Sequence, residues 1–239
     1  MTTNSGDIVI SGLSYTYPDG TRGLADVSIS IASGQSVAIL GPNGAGKSTL
    51  LLTLPGLIFG TGRISIAGIT VSPKTVREVR KRVGIVFQNP DDQLFCPTVY
   101  DDVAFGPKNM GLSADEVDRR TENALSSIGL SGYEGRSSHH LSYGEKKRAS
   151  IATILAMDPA IIAFDEPSAN LDPEGVHGLS TVIRAITKTK IVVTHDIELA
   201  RKLADRAIVM REGLIIEDMP MKELSGNKRR QRELRLFFD

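Results

Sequence analysis

The stretch Gly41-Pro-Asn-Gly-Ala-Gly-Lys47-Ser48 decides the fold of this 239-residue chain. The apolar run Ser36–Leu40 before it is typical of a buried strand, and the run that starts at Ser48 predicts a helix. Glycines closed by a lysine and a hydroxyl residue, between a strand and a helix, fit the phosphate-loop pattern. The alternative, a chance glycine-rich turn, does not account for both the spacing and the flanking elements.

The residue types of this loop predict how it would bind a nucleotide. Glycines at 41, 44 and 46 let backbone N–H groups face phosphate oxygens. Lys47 would reach the β- and γ-phosphates, and the hydroxyl of Ser48 would ligate Mg²⁺. We therefore predict ATP and Mg²⁺ as ligands of a set of loop residues: Gly41, Pro42, Asn43, Gly44, Ala45, Gly46, Lys47, Ser48 and Thr49.

Composition narrows the class of protein. The 28 lysines and arginines balance the 28 aspartates and glutamates, so no overall positive field attracts nucleic acid, and no nucleic-acid partner is expected. The single cysteine, Cys96, excludes an internal disulfide and suits a reducing compartment. Residues 1–7 lack a signal-peptide profile, and the apolar run 50–59 is too short to span a bilayer. We expect any membrane partner to be reached from the cytosolic side.

Hydrophobic periodicity predicts an α/β protein with an insertion. Alternating runs at 8–15, 26–31 and 62–68 indicate antiparallel strands, whereas buried runs at 83–87, 160–164 and 190–194 indicate a parallel sheet. Residues from about 89 to 157 read as an inserted helical subdomain, with Ser113 capping a helix to Ile128. We place one domain at 1–225, followed by a short basic tail at 226–239 that is predicted to form a solvated helix.

Three strand ends carry the polar residues expected of an active site. Asp165 and Glu166 follow the buried run 160–164, at the sheet edge where open α/β sheets bind ligands. Asp165 suits the Mg²⁺ shell, and Glu166, one residue further, could polarise a water. His195 and Gln88 end two other strands, where His195 would sense the γ-phosphate and Gln88 would reach metal or water.

A second anion site is predicted at residues 141–148, Leu-Ser-Tyr-Gly-Glu-Lys-Lys-Arg. Ser142 is a good helix cap, and the small residues Ser142 and Gly144 leave N–H groups open at the helix start. Because one phosphate needs only one cradle, two cradles far apart in sequence suggest that two chains sandwich the nucleotide.

Together these motifs resemble the ATP-binding cassette (ABC) ATPases, and the resemblance covers nearly the whole chain. It implies an ABC-type P-loop NTPase with a RecA-like parallel core, an antiparallel β subdomain and an inserted helical subdomain. It also assigns the family's motif names to segments that occur here in the same order as in the family. They are Walker A at 41–48, Q-loop Gln88, signature 141–145, Walker B ending at Asp165 and Glu166, D-loop 168–172 and switch His195. Tyr17 stands at the family's adenine-stacking position, with Tyr15 as a neighbouring candidate.

The segments 87–95, 102–107 and 139–148 narrow the resemblance to the energy-coupling-factor class, especially cobalt-importer ATPases. This resemblance implies a second copy of the chain, an integral membrane coupling subunit and a substrate-binding membrane subunit. It implies that residues 89–95 and the following helices receive the coupling helices, on the cytoplasmic face of the membrane. Cobalt is the first cargo to consider, followed by nickel and by biotin or another vitamin.

Other readings stay open at this stage. Tyr143 replaces the usual signature glycine and should crowd the turn unless its ring points away, and Pro55 should end the first helix early. His139 and His140 invite a metal site, but adjacent side chains diverge. A soluble ABC ATPase unconnected with transport and a small-molecule P-loop kinase are the alternative functions. The kinase would have no use for residues 141–145 or 168–172.

Overall fold

The computed structural model describes residues 7–236 and divides their strands between two sheets. The prediction that residues 1–7 lack a signal peptide concerns residues that lie almost wholly outside the described part of the chain. The strands are β1 (Ile8–Thr16), β2 (Arg22–Ile31), β3 (Ser36–Leu40), β4 (Thr61–Ile66), β5 (Ile69–Thr70), β6 (Val83–Val86), β7 (Ile161–Asp165), β8 (Thr189–Val193), β9 (Arg206–Arg211) and β10 (Leu214–Pro220).

The larger sheet has the order β10-β9-β3-β8-β7-β6 within the described residues. Its pairs are parallel except for β10, which runs antiparallel to β9 at one edge. Successive residues of β3 enter opposite cores, with Val37 and Ile39 on one face and Ala38 and Leu40 on the other. Burial on both faces explains the continuous apolar runs, and it places the carboxyl ends of β3, β6, β7 and β8 at one edge.

The smaller sheet is antiparallel, with the order β2-β1-β4-β5. Ile8 of β1 pairs with Ile31 of β2 and with Ile66 of β4, and all three side chains are buried. The predicted combination of a parallel core with an antiparallel set of strands is therefore confirmed. The predicted strand 26–31 begins earlier, at Arg22, because β2 pairs with β1 up to Thr16.

Helices cover the larger sheet and fill the segment between β6 and β7. They are α1 (Lys47–Thr53), α2 (Val76–Arg80), α3 (Val99–Asn109), α4 (Ala114–Ser127), α5 (Tyr143–Leu155), α6 (Pro173–Ala185), α7 (Ile197–Leu203), α8 (Met221–Ser225) and α9 (Lys228–Glu233). Short 3₁₀ turns occupy Pro90–Asp92 and Ser138–His140. In the described part of the chain, each helix is too short or too polar to cross a membrane.

Helices α3, α4 and α5 pack on one another, as predicted for the segment between β6 and β7. The hydroxyl of Ser113 accepts a hydrogen bond from Glu116 N, which confirms the predicted cap. Helix α1 ends at Thr53, two residues before Pro55. The sequence at 73–82 predicts a helix with a basic face, but the helix covers only Val76–Arg80, because Thr75 ties Ser72 into a turn before Val76. The bounds 89–157 for a subdomain stay a prediction.

The basic C-terminal segment forms a helix that packs on the larger sheet. Gln231 is buried and donates hydrogen bonds to the carbonyls of Leu224 and Ser225. The charged side chains of α9 are outward, as the predicted solvated helix requires. Leu234 and Leu236, which follow the helix, belong to the same core cluster as Leu40, at the end of the strand that leads into residues 41–48. The boundary at 225 stays a prediction, and residues 237–239 lie outside the described part.

Candidate functional site

Residues 43–49 form one wall of a cavity of about 290 Å³ at the carboxyl edge of the larger sheet, whereas Gly41 and Pro42 do not line it. The cavity is also lined by residues that follow β6 and β7, by the turn between β1 and β2 and by the start of β2. Its lining consists of Tyr17, Thr21, Arg22, Gly23, Asn43, Gly44, Ala45, Gly46, Lys47, Ser48, Thr49, Gln88 and Glu166. Most of the predicted nucleotide-site residues are thus brought together. We call this the first cradle.

Two glycines of the loop cannot carry a side chain. Gly41 has φ +151°, and a Cβ atom there would lie 2.2 Å from the carbonyl oxygen of Met210. Gly46 has φ +96°, and its Cβ would lie 2.4 Å from the carbonyl oxygen of Gly23. The β9–β10 turn also supports the loop, since Gly213 N donates to the Ala45 carbonyl. The loop conformation therefore depends on neighbours far away in sequence.

Lys47 is only 6% exposed, although it carries a charge. Its Nζ donates to the carbonyls of Gly41 at 2.8 Å and Pro42 at 3.0 Å, and it lies 4.0 Å from Glu166 Oε1. Burial lowers the pKa of this lysine, while the carboxylates of Glu166 and Asp165 act in the opposite direction. The ammonium is thus held at the loop, where the oxygens of a phosphate would compete with the two carbonyls for it.

Asp165 ends β7 next to the first residues of α1. The Ser48 hydroxyl donates to Asp165 Oδ1 at 3.1 Å. Burial raises the pKa of Asp165, against the hydrogen bond from Ser48, which lowers it. A hydroxyl and a carboxylate oxygen side by side are the hard oxygen donors that Mg²⁺ prefers. The residues present therefore fit the metal that the sequence predicts.

Glu166 leaves the strand in a left-handed conformation, with φ 42°. Its N–H still donates to the carbonyl of Val193 on β8, so the sheet fixes this bend. The side chain is largely buried, and its Oε2 lies 3.0 Å from Nδ1 of His195. This pair is ionic only when the histidine is protonated. A carboxylate between Lys47 and His195 is placed to orient a water above the loop.

Two further predicted residues complete the lining of the first cradle. Gln88 follows β6, as expected, and its side chain lines the cavity. The Tyr17 hydroxyl lies 2.8 Å from Oγ1 of Thr49, and its ring meets the edge of Tyr15 with centroids 4.9 Å apart. Tyr17 contacts the cavity, whereas Tyr15 is packed against the apolar core. This arrangement favours Tyr17 over Tyr15 for stacking on a base.

The predicted second anion site lies elsewhere, at the start of α5. Ser142 Oγ accepts from Glu145 N, and Glu145 Oε2 accepts from Ser142 N at 2.7 Å, which makes a capping box. Across residues 7–236, the N–H groups of Tyr143 and Gly144 have no hydrogen-bond partner. We call this turn, Ser142–Gly144, the second cradle.

A separate cavity of about 520 Å³ adjoins the second cradle. Residues from α5 and from the segment leading into α6 line it: Ser142, Tyr143, Gly144, Arg148, Asn170, Leu171, Asp172, Glu174, Gly175 and Gly178. The Tyr143 hydroxyl lies 3.4 Å from the Gln88 carbonyl oxygen and accepts from the Asn170 amide. The predicted residues Ser142 and Gly144 therefore do not meet Lys47 or Glu166 within this chain.

Sequence reasoning missed Lys147. It is 1% exposed and is the largest of the most deeply buried side chains in the described chain. Its position one helical turn before Ile151 was the available signal, because that spacing puts both residues on the inner face of α5. By contrast, His139 and His140 lie in a 3₁₀ turn. Within residues 7–236, no group of three or more His, Cys, Asp and Glu side chains could hold a metal by itself.

The chain is similar to known proteins over nearly its whole length. The family model "ABC transporter" matches residues 24–169. The energy-coupling factor transporter ATP-binding protein EcfA of Methanothermobacter thermautotrophicus is 47% identical over 222 residues, covering 90% of this chain and 71% of that protein.

Two solved structures have the same fold. That of cbiO1 from Clostridium perfringens, part of the ABC transporter complex cbiONQ, is 38% identical with a TM-score of 0.85, covering 97% of this chain and 95% of that one. The dimeric ATP-binding cassette MJ0796, in a post-hydrolysis state with ADP and Pi, is 27% identical with a TM-score of 0.79, covering 90% and 98%.

Proposed function

Because this chain belongs to the ABC transporter family and is an ATPase of its energy-coupling-factor class, we propose that it hydrolyses MgATP between two head-to-tail copies and so drives an importer. One observation carries the proposal. Lys47 and Glu166 line the first cradle, and Asp165 and His195 contact this lining at Ser48 and Glu166, whereas the second cradle opens on a different cavity of the same chain.

The residues of the first cradle have distinct tasks in this reaction. Lys47 exchanges its bonds to the Gly41 and Pro42 carbonyls for oxygens of the β- and γ-phosphates. Glu166 orients the attacking water and accepts its proton, helped by burial and by the left-handed bend that aims its carboxylate. His195, 3.0 Å from Glu166, senses the γ-phosphate and holds the carboxylate in place.

Ser48, Asp165 and Gln88 would hold Mg²⁺. Ser48 and Asp165 are already in hydrogen-bonding contact, and Gln88 lines the same cavity. When bound, the ion neutralises charge on the phosphates and helps the leaving group depart. The remaining loop residues and Tyr17 hold the nucleotide, with the tyrosine ring against the base.

A second copy completes the site. The unpaired N–H groups of Tyr143 and Gly144 form an anion cradle that its own chain does not use, so a partner's γ-phosphate is the ligand that suits it. A relative with the same fold, MJ0796, is described as dimeric in its ADP- and Pi-bound state. Homodimerisation around two ATP molecules follows as the proposed active assembly.

Residues 89–95 and the following helices form the proposed contact with a membrane subunit. Phe95 and Phe105 are 66% and 48% exposed, and their rings stack edge to face at 5.0 Å. Asp102 Oδ1 accepts from Phe95 N and Cys96 N and so fixes the loop that displays Phe95. An exposed aromatic pair, with one ring on this fixed loop and the other on α3, suits an apolar helix from a partner. Leu94, which is buried, is core rather than contact.

We place the protein on the cytoplasmic face of the membrane, with a coupling subunit and a substrate-binding subunit as partners. Relatives named EcfA and a neighbour from the complex cbiONQ support such an assembly. Cobalt is the first cargo proposed, by resemblance to cobalt-importer ATPases, followed by nickel and then by biotin or another vitamin.

Two measurements test the proposal. The purified chain should release phosphate from MgATP without any phosphorylated acceptor, which separates an ATPase from a small-molecule kinase. Co-purified with its membrane partners and reconstituted in vesicles, it should support ATP-dependent uptake of one of these cargoes. If the chain releases phosphate but co-purifies with no membrane partner and supports uptake of none of these cargoes, a soluble ABC ATPase is favoured instead.

A further inference from the structure

A buried lysine connects the two cradles inside one chain. Lys147 extends from the inner face of α5, four residues after Tyr143 at the start of the same helix. Its Nζ donates to the backbone carbonyl of Gln88 and lies 3.5 Å from the backbone carbonyl of Glu166. Gln88 and Glu166 both line the first cradle.

The surroundings make these contacts obligatory. A buried ammonium must be hydrogen-bonded, since an unpaired charge in the interior is strongly destabilising. With the lysine 1% exposed, water cannot replace the two carbonyls. The nearest ring is that of Tyr143, whose centroid lies 5.8 Å from Nζ. The main chain at Gln88 and at Glu166 is therefore held at the position that α5 dictates.

Other contacts along the same face of α5 reinforce this attachment. The Gln93 side-chain amide donates to the Ser150 carbonyl and to the Thr153 hydroxyl, while its oxygen accepts from Phe87 N. These bonds join α5 to the loop after β6. Among the described hydrogen bonds that join α5 to these strand ends, only that of Lys147 extends to Glu166, the residue that follows β7.

We infer that Lys147 is a positioning residue that sets Gln88 and Glu166 of its own chain according to the position of α5. The inference rests on the proposed two-copy site. In that assembly α5 presents Ser142 and Gly144 to the partner's ATP, so a shift of α5 on engagement moves the water-orienting glutamate of the same chain. Lys147 thus links the second cradle, which contacts the partner's ATP, with the first cradle, which acts on the chain's own ATP.

The first test compares Lys147→Met with Lys188→Met. Methionine keeps the length and packing of the lysine, so the variant is expected to fold. Its ATP affinity should stay within about twofold of wild type, while kcat falls about 10- to 100-fold, as small misplacements of catalytic groups do. Lys188 pairs with the exposed Asp158 and lines neither cradle, so its variant should keep wild-type kcat. Unchanged kcat in Lys147→Met would overturn the inference.

Mixed dimers then decide on which chain Lys147 acts. Two differently tagged copies are purified together, one of which carries Glu166→Gln, so that only the other copy can hydrolyse its ATP. Lys147→Met in the hydrolysing copy should cause the full loss of kcat, whereas the same change in the Glu166→Gln copy should leave kcat within about twofold.

The reverse pattern, or an equal loss in both arrangements, would mean that the change merely damages the second cradle, and it would overturn the inference. If a mixed dimer of wild type and Glu166→Gln hydrolyses no ATP even without Lys147→Met, the inference is judged by the kcat and the ATP affinity of the Lys147→Met homodimer. A wild-type chain that hydrolyses no ATP would instead contradict the proposed function itself.

Discussion

The two cradles differ in how much of a catalytic site each one contains. The first cradle has a buried lysine, a hydroxyl beside a carboxylate, and a glutamate 3.0 Å from a histidine. The second offers two N–H groups behind a capping box, and the carboxylate nearest to it, Glu145, is occupied by the cap. A chain that offers an anion site at both cradles but has catalytic groups at only one is expected to need a copy of itself.

The largest effect is expected from Glu166→Gln, which removes the base but keeps the shape of the first cradle. Turnover should fall about 10²- to 10⁴-fold. ATP binding should persist, so that a dimer accumulates on gel filtration with MgATP. Glu78→Gln, at an exposed glutamate paired with Lys81, is the matched control. Near-normal turnover in Glu166→Gln would remove this residue from its assigned role.

Lys47→Ala tests whether the first cradle binds ATP without help from the second. The buried ammonium is expected to make charge-assisted bonds to phosphate, and its loss should weaken ATP binding about 100-fold. Equilibrium binding to the isolated, dilute chain measures this directly. An unchanged affinity would show that the lysine prefers its bonds to Gly41 and Pro42 even when ATP is present.

A pair of glycine substitutions compares the cradles under the same chemical change. In Gly46→Ala the new methyl would meet the Gly23 carbonyl at 2.4 Å in a left-handed conformation, so ATP affinity should fall about tenfold or more. In Gly144→Ala the nearest atom, a methyl of Leu171, is 3.8 Å away, so the isolated chain tolerates the change.

Gly144→Ala should therefore keep ATP affinity and thermal stability but lose about tenfold in turnover, because the methyl enters the partner's phosphate site. Adding an excess of Glu166→Gln copies, which supply an intact second cradle, should restore part of the turnover per Gly144→Ala copy. If Gly144→Ala turns over normally, the second cradle does not face a nucleotide.

Sequence patterns were sufficient for most of the elements and for the phosphate-loop pattern, because both can be recognised from local spacing. The run 36–40 is apolar since β3 is buried on both faces, and the loop pattern puts glycines at 41 and 46, where the carbonyls of Met210 and Gly23 leave no room for a side chain. The order of motifs along the chain then led to Asp165, Glu166 and His195, which parallel strands bring to one edge.

Tertiary contacts without a local signal could not be predicted in this way. The turn made by Ser72 and Thr75 shortened a predicted helix, and Leu234 and Leu236 fasten a segment whose charges predicted only a solvated helix. Lys147 was overlooked because a lysine in a run of charges usually lies in solvent. The carbonyls of Gln88 and Glu166, far away in sequence, make its burial possible.

The smallest effect concerns the charge of Lys147, which lies between the cradles. Burial lowers the pKa of this lysine to about 8, although Asp165 and Glu166 favour its charged form, whereas the ordinary pKa of a lysine, which applies to the unfolded chain, is 10.5. Between these two values the unfolded chain binds more protons than the folded one, so this group makes the free energy of unfolding increase with pH. Below about pH 8 the cost of burying the charge is fully present.

Urea unfolding of wild type and Lys147→Met at pH 8 and pH 9 measures this dependence. Wild type should gain about 1 kcal/mol more than the variant over this interval, because other titrating groups cancel in the comparison. A parallel pH dependence in both proteins would mean that Lys147 stays charged throughout, and that the Gln88 and Glu166 carbonyls hold an ammonium under all these conditions. The connection between the cradles would then be insensitive to pH, while its geometry would still be tested by the mixed dimers.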